Sequence, residues 1–476
     1  MTRIQEVHLQ GLDPERLAPI IGPERAERFR EIASLAREKL AGRRILNVNS
    51  TATGGGVAEM LQTLLAYVRG VGIDAPWAVI HGTPEFFAVT KRIHNGLHRS
   101  PGDGGELGAA EHEVYDEVTA ENAAQLRELV RPGDIVLLHD PQTAGLVVPM
   151  QQVGAFVVWR CHVGSDDHND CVERSWEFLH PYLESADRFV FTREHFAPEW
   201  ANDGRLAIIP PSIDPFSPKN QDMTPEVAHA ILRDTGLLSG VDNGSVSTFT
   251  RRDGSPGRVD RHADILQTGP PPDVDERLVV QVSRWDRLKD MLGVMEGFER
   301  HVVGNSGAHL ILAGPNVSGV TDDPEGAEVL DECVEAWREF PHAARTRIHL
   351  ACLPMADVDE NAAIVNALQR HADIVVQKSL AEGFGLTVSE ALWKARPFVG
   401  TRVGGIPDQV TDGEDGLLID DGTDLAAFGR AVMLLLTDRE YAARLGRNAH
   451  ERARRDFLGD RHLAQYAALF DDLDTR

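Results

Sequence analysis

Several stretches of this sequence put charged side chains beside glycines where a chain must turn. In Leu380-Ala-Glu-Gly-Phe-Gly-Leu-Thr-Val-Ser-Glu390, Gly383 and Gly385 let the backbone approach a ligand closely. Phe384, Leu386 and Thr387 then open a helix, whose free N–H groups suit an anion such as a diphosphate. Glu382 stands in the loop and Glu390 eight residues on, about two turns into the helix, so the carboxylates can serve different parts of one extended ligand. An ordinary strand-turn-helix connection with two solvated glutamates is the competing reading. Ser283-Arg-Trp-Asp-Arg-Leu-Lys289 follows the apolar run LVVQV. Arg284 as a fork and Lys289 as a point charge can converge there on the same diphosphate; a solvated basic loop is the alternative.

Three further stretches lie in the first half. Asn47-Val-Asn-Ser-Thr-Ala-Thr-Gly-Gly-Gly-Val-Ala-Glu59 matches neither G-x-G-x-x-G nor the phosphate loop ending in GK[ST]. Gly55 and Gly56 are therefore read as a bare turn or as a backbone wall against donor phosphates. His139-Asp-Pro-Gln142 ends a strand, and Asp140 could hold acceptor hydroxyls or cap the next helix. In Trp159-Arg-Cys-His-Val-Gly-Ser-Asp-Asp-His-Asn-Asp-Cys171 the ligand-type residues fit no tetrahedral spacing, so no metal site is expected. His162 is read as a sugar contact or as a structural histidine, and Arg160 as an acceptor-side cation.

The elements that must carry these loops follow from hydrophobic period. Short β-branched runs at 45–49, 77–80, 135–139, 156–160, 189–192 and 206–209 alternate with amphipathic stretches such as 57–69 and 172–183. A second series runs through 278–283, 309–314, 347–353, 374–377, 397–400 and 416–419. The fold class is α/β, with two Rossmann-like doubly wound domains facing a cleft. The expected bounds are 1–235, a flexible insertion or linker at 236–272, a second domain at 273–457, and a last segment at 458–476. The insertion, rich in Gly, Ser, Asp and Arg, is read as a solvated loop, with a flap or a homodimer contact as the alternative.

Composition narrows the partners. At 476 residues with 42% hydrophobic content, two globular domains are expected. A net charge of −26 argues against nucleic acid, and no apolar run reaches the length of a membrane span. Four cysteines without a C-x-x-C pair, and no signal-like N-terminus, predict reduced thiols and a cytoplasmic enzyme.

Together the E-G-F-G-L-T-V-S-E, S-R-W-D-R-L-K, G-G-G-V-A-E and W-R-C-H runs resemble the large retaining glycosyltransferase family of the GT-B type, family 4. H-D-P-Q, P-P-S-I-D-P and V-G-G-I bring the sequence closer to its trehalose-forming branch, the glycosyltransferring synthases that join nucleoside-diphosphate glucose to free glucose. These runs extend from about residue 47 to 416. The resemblance implies a nucleotide-sugar donor held mainly by the second domain, 273–457, and a last helix, within 458–476, crossing back onto the first. In that pattern Arg284 and Lys289 hold the diphosphate, Glu382 and the following amides the glucosyl hydroxyls, Glu390 the ribose, and His162 the transferring sugar. It implies catalysis without metal or other cofactor. A trehalose phosphorylase using inorganic phosphate, another sugar acceptor, a regulatory sugar-nucleotide-binding protein and, on fold alone, a nicotinamide dehydrogenase are the alternatives.

Overall fold

The computed structural model describes residues 3–52, 55–240, 244–317 and 324–471. The chain divides into one unit made of Met1–Ser212 with Phe457–Arg476 and a second made of Ile213–Asp456.

The first unit is built on seven strands: β1 (Gln5–Val7), β2 (Ile45–Asn49), β3 (Trp77–Val79), β4 (Ile135–His139), β5 (Phe156–Cys161), β6 (Arg188–Phe191) and β7 (Leu206–Ile208). Their order is β1-β3-β2-β4-β5-β6-β7, parallel except for β1. Strands β2, β4 and β5 alternate between two apolar layers: Leu46, Val48, Val136, Leu138, Val157 and Trp159 face one, Ile45, Ile135, Leu137 and Val158 the other. Both faces are covered, the normal condition of a parallel sheet. The helices used below are α1 (Pro23–Lys39), α2 (Gly56–Gly70) and α3 (Asp170–Leu183).

The second unit begins with α4 (Pro225–Thr235) and carries β8 (Thr248–Thr250), β9 (Pro256–Arg258), β10 (Asp264–Leu266), β11 (Leu278–Val282), α5 (Met291–Phe298), β12 (His309–Pro315), β13 (Ile348–Leu353), α6 (Val358–His371), β14 (Ile374–Gln377), α7 (Leu386–Trp393), β15 (Phe398–Thr401) and β16 (Leu417–Ile419). The main sheet runs β10-β13-β12-β11-β14-β15-β16, parallel except for β10. Two α/β units with doubly wound sheets thus stand where the sequence predicts them. The last helix, α8 (Gly459–Asp471), packs on α1 and places Tyr466, Leu469 and Phe470 under β2, β4 and β5.

The domain bounds differ from the expected ones. The first unit stops at Ser212, because α4 packs along α6 of the second. The 236–272 stretch contains a small hairpin, β8–β9, and the antiparallel edge strand β10; its residues 241–243 lie outside the described ones. Arginines fasten it to the start of α6: Arg251 to Asp357 at 2.7 Å, Arg252 to Asp359 at 2.8 Å, and Arg261 to Glu360. Among the described residues no helix is long and apolar enough to cross a membrane.

Candidate active site

In an open α/β sheet ligands bind beyond the carboxyl ends of the strands, where the strand order reverses. In the second unit that point lies between β11 and β14. The loops that follow them are 283–290, which carries five charged residues, and 378–385, which carries Lys378, Glu382 and two glycines. They are joined backbone to backbone, Leu380 N–H donating to Leu288 O at 2.8 Å.

At their junction Lys289 Nζ donates to Glu382 Oε1 at 2.6 Å. Ser379 Oγ donates to Glu382 Oε2 at 3.1 Å, and Gln377 Nε2 to Ser379 Oγ at 3.0 Å. Glu382 is 8% exposed, so this carboxylate is desolvated and held by a lysine and a hydroxyl. Gly385, at φ 79°, precedes α7 without a side-chain cap; its carbonyl takes the Val388 N–H at 2.9 Å, and an external acceptor can take the N–H groups that open the helix before it. Gly383, Leu386 and Thr387 are partly exposed along this opening, whereas the Phe384 ring is buried and only its backbone takes part. Thr387 Oγ1 donates to Gln377 Oε1 at 3.2 Å.

Glu390 lies about one turn into α7 rather than two, because the helix starts only at Leu386. It is 3% exposed; Lys219 Nζ stands 3.6 Å from Oε1, and Oε2 has no hydrogen-bond partner. Arg284 is half exposed and donates to Asp286 Oδ2 at 2.9 Å, within its own loop.

Residues that sequence reasoning did not select brace these loops. Gln281, buried in β11, donates from Nε2 to Lys289 O at 2.8 Å and accepts from Lys378 N at 3.2 Å, clamping both loops at once. The buried Lys378 ammonium reaches Gly422 O at 2.6 Å and also Asp290. Gln409 Nε2 donates to Phe384 O and to Gly405 O at 3.2 Å. A polar Gln inside LVVQV was a visible signal; Gln409 had none. The V-G-G-I run lies directly against the ligand loop, with Gly405 N donating to Gly383 O at 2.7 Å.

In the first unit the strand order reverses between β2 and β4. The loop after β2 leads through Gly55, at φ 80°, into α2 at Gly56; Gly54 lies outside the described residues. The loop after β4 holds Asp140, a non-glycine residue at φ 66°. Such a conformation costs on the order of 1–3 kcal/mol and persists only where surroundings enforce it. Here Asp140 Oδ1 accepts from His162 N at 2.8 Å. Burial pushes the Asp140 carboxyl up to about 7, against the pull of that N–H and of Arg160.

Arg160 is not placed as an acceptor-side cation. It is fully buried, donating from Nε to His162 Nδ1 at 3.4 Å, from Nη1 to His462 Nε2 at 3.2 Å and to Tyr466 Oη, and from Nη2 to Ile209 O at 3.1 Å. The His162 ring stacks on His139, with Nε2 3.1 Å from His139 Nδ1. Burial, then the Arg160 charge, hold both imidazoles below the usual range, His139 at about 3. In the stretch 164–171, Asp166 and Asp167 pair with Arg193 and Arg99, and Asn169 caps α3. Among the described residues no cluster of three or more His, Cys, Asp or Glu could hold a metal ion.

Comparison with known proteins gives the family and the fold. Residues 47–198 match the model for the trehalose synthase N-terminal domain, and residues 355–452 that for glycosyl transferases group 1. The chain is 36% identical over 473 residues to the trehalose synthase of Rubrobacter xylanophilus, covering 98% of this chain and 99% of that one. It is 24% identical to the trehalose phosphorylase of Pleurotus pulmonarius over 83% of this chain and 52% of the fungal one. Among solved structures, a UDP-forming α,α-trehalose-phosphate synthase from Burkholderia xenovorans superposes with a TM-score of 0.65 at 17% identity, over 91% of this chain and all of that one.

Proposed function

This chain belongs to the trehalose synthase family, and from that premise we propose that it is a retaining glucosyltransferase that forms α,α-trehalose from nucleoside-diphosphate glucose and free glucose, reversibly. The observation that carries the reading is the Lys289–Glu382 pair beside the uncapped start of α7 at the strand-order reversal.

Transfer passes through an oxocarbenium-like state while negative charge grows on the leaving diphosphate. Lys289, Arg284 and the first N–H groups of α7 neutralise that charge as preorganised donors. Glu382 accepts from glucosyl hydroxyls, Glu390 from the ribose, and the backbone at Gly55 and Gly56 borders the phosphates. On the acceptor side Asp140 takes hydroxyls, and the His162 ring, its two nitrogens engaged by Arg160 and His139, meets the transferring sugar through its edge. No side chain is assigned as nucleophile: the acceptor attacks from the face the diphosphate leaves, and a phosphate oxygen takes its proton, so the α configuration is kept. The cation set serves in place of a metal, and the four free cysteines suit a cytoplasmic setting.

The test is incubation with nucleoside-diphosphate α-glucose and an equal mixture of glucose and glucose 6-phosphate, with product linkage read by NMR. The expected product is α,α-trehalose, formed equally well after exhaustive chelation. A β-linked product would overturn the mechanism, and preference for the phosphorylated acceptor would overturn the acceptor assignment. Dependence on added magnesium would overturn the charge assignment, and turnover of trehalose with inorganic phosphate alone would favour a phosphorylase.

Asp140 gives a pH signature. Its carboxyl ionises near 7, so hydroxyl binding by the carboxylate should strengthen as pH rises through that value. The acidic limb of kcat/KM is expected near pH 7, and Asp140→Asn should flatten it while raising the KM for glucose. An unchanged limb in that variant would remove Asp140 from the acceptor role.

A further inference from the structure

A buried polar chain starts on the last helix and runs through Arg160, His162 and His139 to Asn47. We propose that His462 and Tyr466 of α8 are positioning residues for His162, acting through Arg160, so that the last helix determines which ring nitrogen of His162 carries its proton. The proposal rests on the role given above to His162.

The reasoning is one of donors and acceptors. A guanidinium has only donors. Arg160 Nε faces His162 Nδ1, so Nδ1 must accept and the proton of the neutral ring must sit on Nε2. That proton points to His139 Nδ1, which leaves the His139 proton on Nε2, where Asn47 Oδ1 accepts it at 3.0 Å. The sequence Arg160, His162, His139, Asn47 is thus satisfied in one direction only.

The position of Arg160 is set from the other side. Nη1 meets His462 Nε2 and Tyr466 Oη, and Nη2 meets Ile209 O. His462 in turn has its proton on Nδ1, facing Ser212 Oγ at 2.9 Å. His462 is fully buried and Tyr466 is 6% exposed, and the Arg160 guanidinium lies 5.5 Å from the Tyr466 ring centroid. A buried cation needs its donors met. A carbonyl, a phenol and two imidazoles do this here, two of the four supplied by α8. The groups facing His162 are Arg160, His139, His462 and, through its backbone N–H, Asp140.

The experiment compares His462→Leu, His462→Gln, Tyr466→Phe and His162→Ala in the full-length protein, with kcat, the KM of both substrates and histidine-selective ¹⁵N spectra. His462→Leu removes an acceptor for Nη1, whereas His462→Gln offers a carbonyl oxygen in its place. His462→Leu and Tyr466→Phe are each expected to lower kcat roughly tenfold, the scale of a small misplacement, with the KM of the nucleotide sugar unchanged. Their spectra should show His162 divided between two tautomers, against a single Nε2–H form in the parent, and His462→Gln should restore both readouts. Parent-like kcat and tautomer in His462→Leu, or equal losses in the Leu and Gln variants, would overturn the relay. Tyr466→Phe, which removes only an oxygen, decides the matter if His462→Leu fails to fold. Full activity of His162→Ala would instead fail the site reading.

Discussion

Lys289→Ala is expected to slow transfer by roughly 10²- to 10³-fold, the usual effect of removing one preorganised charge-stabilising donor. The ion pair adds a second effect. The Glu382 carboxylate is 8% exposed and loses its cation, and breaking such a pair typically costs about 3 kcal/mol. For a unit of this size that lowers the melting midpoint by roughly 6–12 °C. Lys289→Ala with Glu382→Gln should recover most of the stability and none of the rate. Arg284→Ala should also slow transfer with little change in melting, because the Arg284 side chain is half exposed and solvent screens its pair with Asp286. Melting curves and initial rates on the three variants check this. A Lys289→Ala protein with parent rate, or a double variant that regains rate, would remove the lysine from the reaction.

The second large effect is expected from a residue with no side chain. Gly404→Ala would put a methyl group 1.7 Å from the carbonyl oxygen of Glu382, at a backbone φ of +51°. Backbone cannot give way as a side-chain tip does, so the 382–385 loop must move. The left-handed conformation alone costs alanine about 1–2 kcal/mol. A displacement of about 1 Å in a positioning loop can cost 10²-fold in rate, so kcat/KM should fall by at least about that factor, with weaker binding of the nucleoside diphosphate in calorimetry. Gly304→Ala, where added bulk meets nothing within 4 Å, serves as the control. Parent-like binding in Gly404→Ala would mean that the V-G-G-I run does not fix the ligand loop.

The core strands were legible because their apolar runs are short, β-branched and separated by amphipathic stretches, and the loops because charge and glycine collect at strand ends. β1, QEV, and β10, DIL, escaped because polar or charged residues break their three-residue runs, whereas the equally short edge strands β7, LAI, and β16, LLI, are wholly apolar. The 236–272 stretch was read as loose since its composition is that of a loop; what fixes it is the carboxylates of Asp357, Asp359 and Glu360, about a hundred residues further on. Arg160 failed for a related reason. W-R-C-H announces a cation at a strand end, but its partners, His462 and Tyr466, come from the far end of the chain, a pairing that no local spacing encodes. Gln409 acts through the backbone of another loop and leaves no mark in its own neighbourhood.

The return of α8 to the first unit also bears on how the protein is made. The second unit is continuous and can fold as soon as Asp456 has emerged, whereas the first must wait for residues that follow it. At ordinary elongation rates the roughly 240 intervening residues take about 12–50 s to translate. Throughout that interval Arg160 lacks His462 and Tyr466, and the apolar underside of β2, β4 and β5 lacks Leu469 and Phe470. A message broken between codons 456 and 459 would therefore yield a chain with a finished second unit and an unfinished first one, whose uncovered apolar sheet face makes it prone to aggregate.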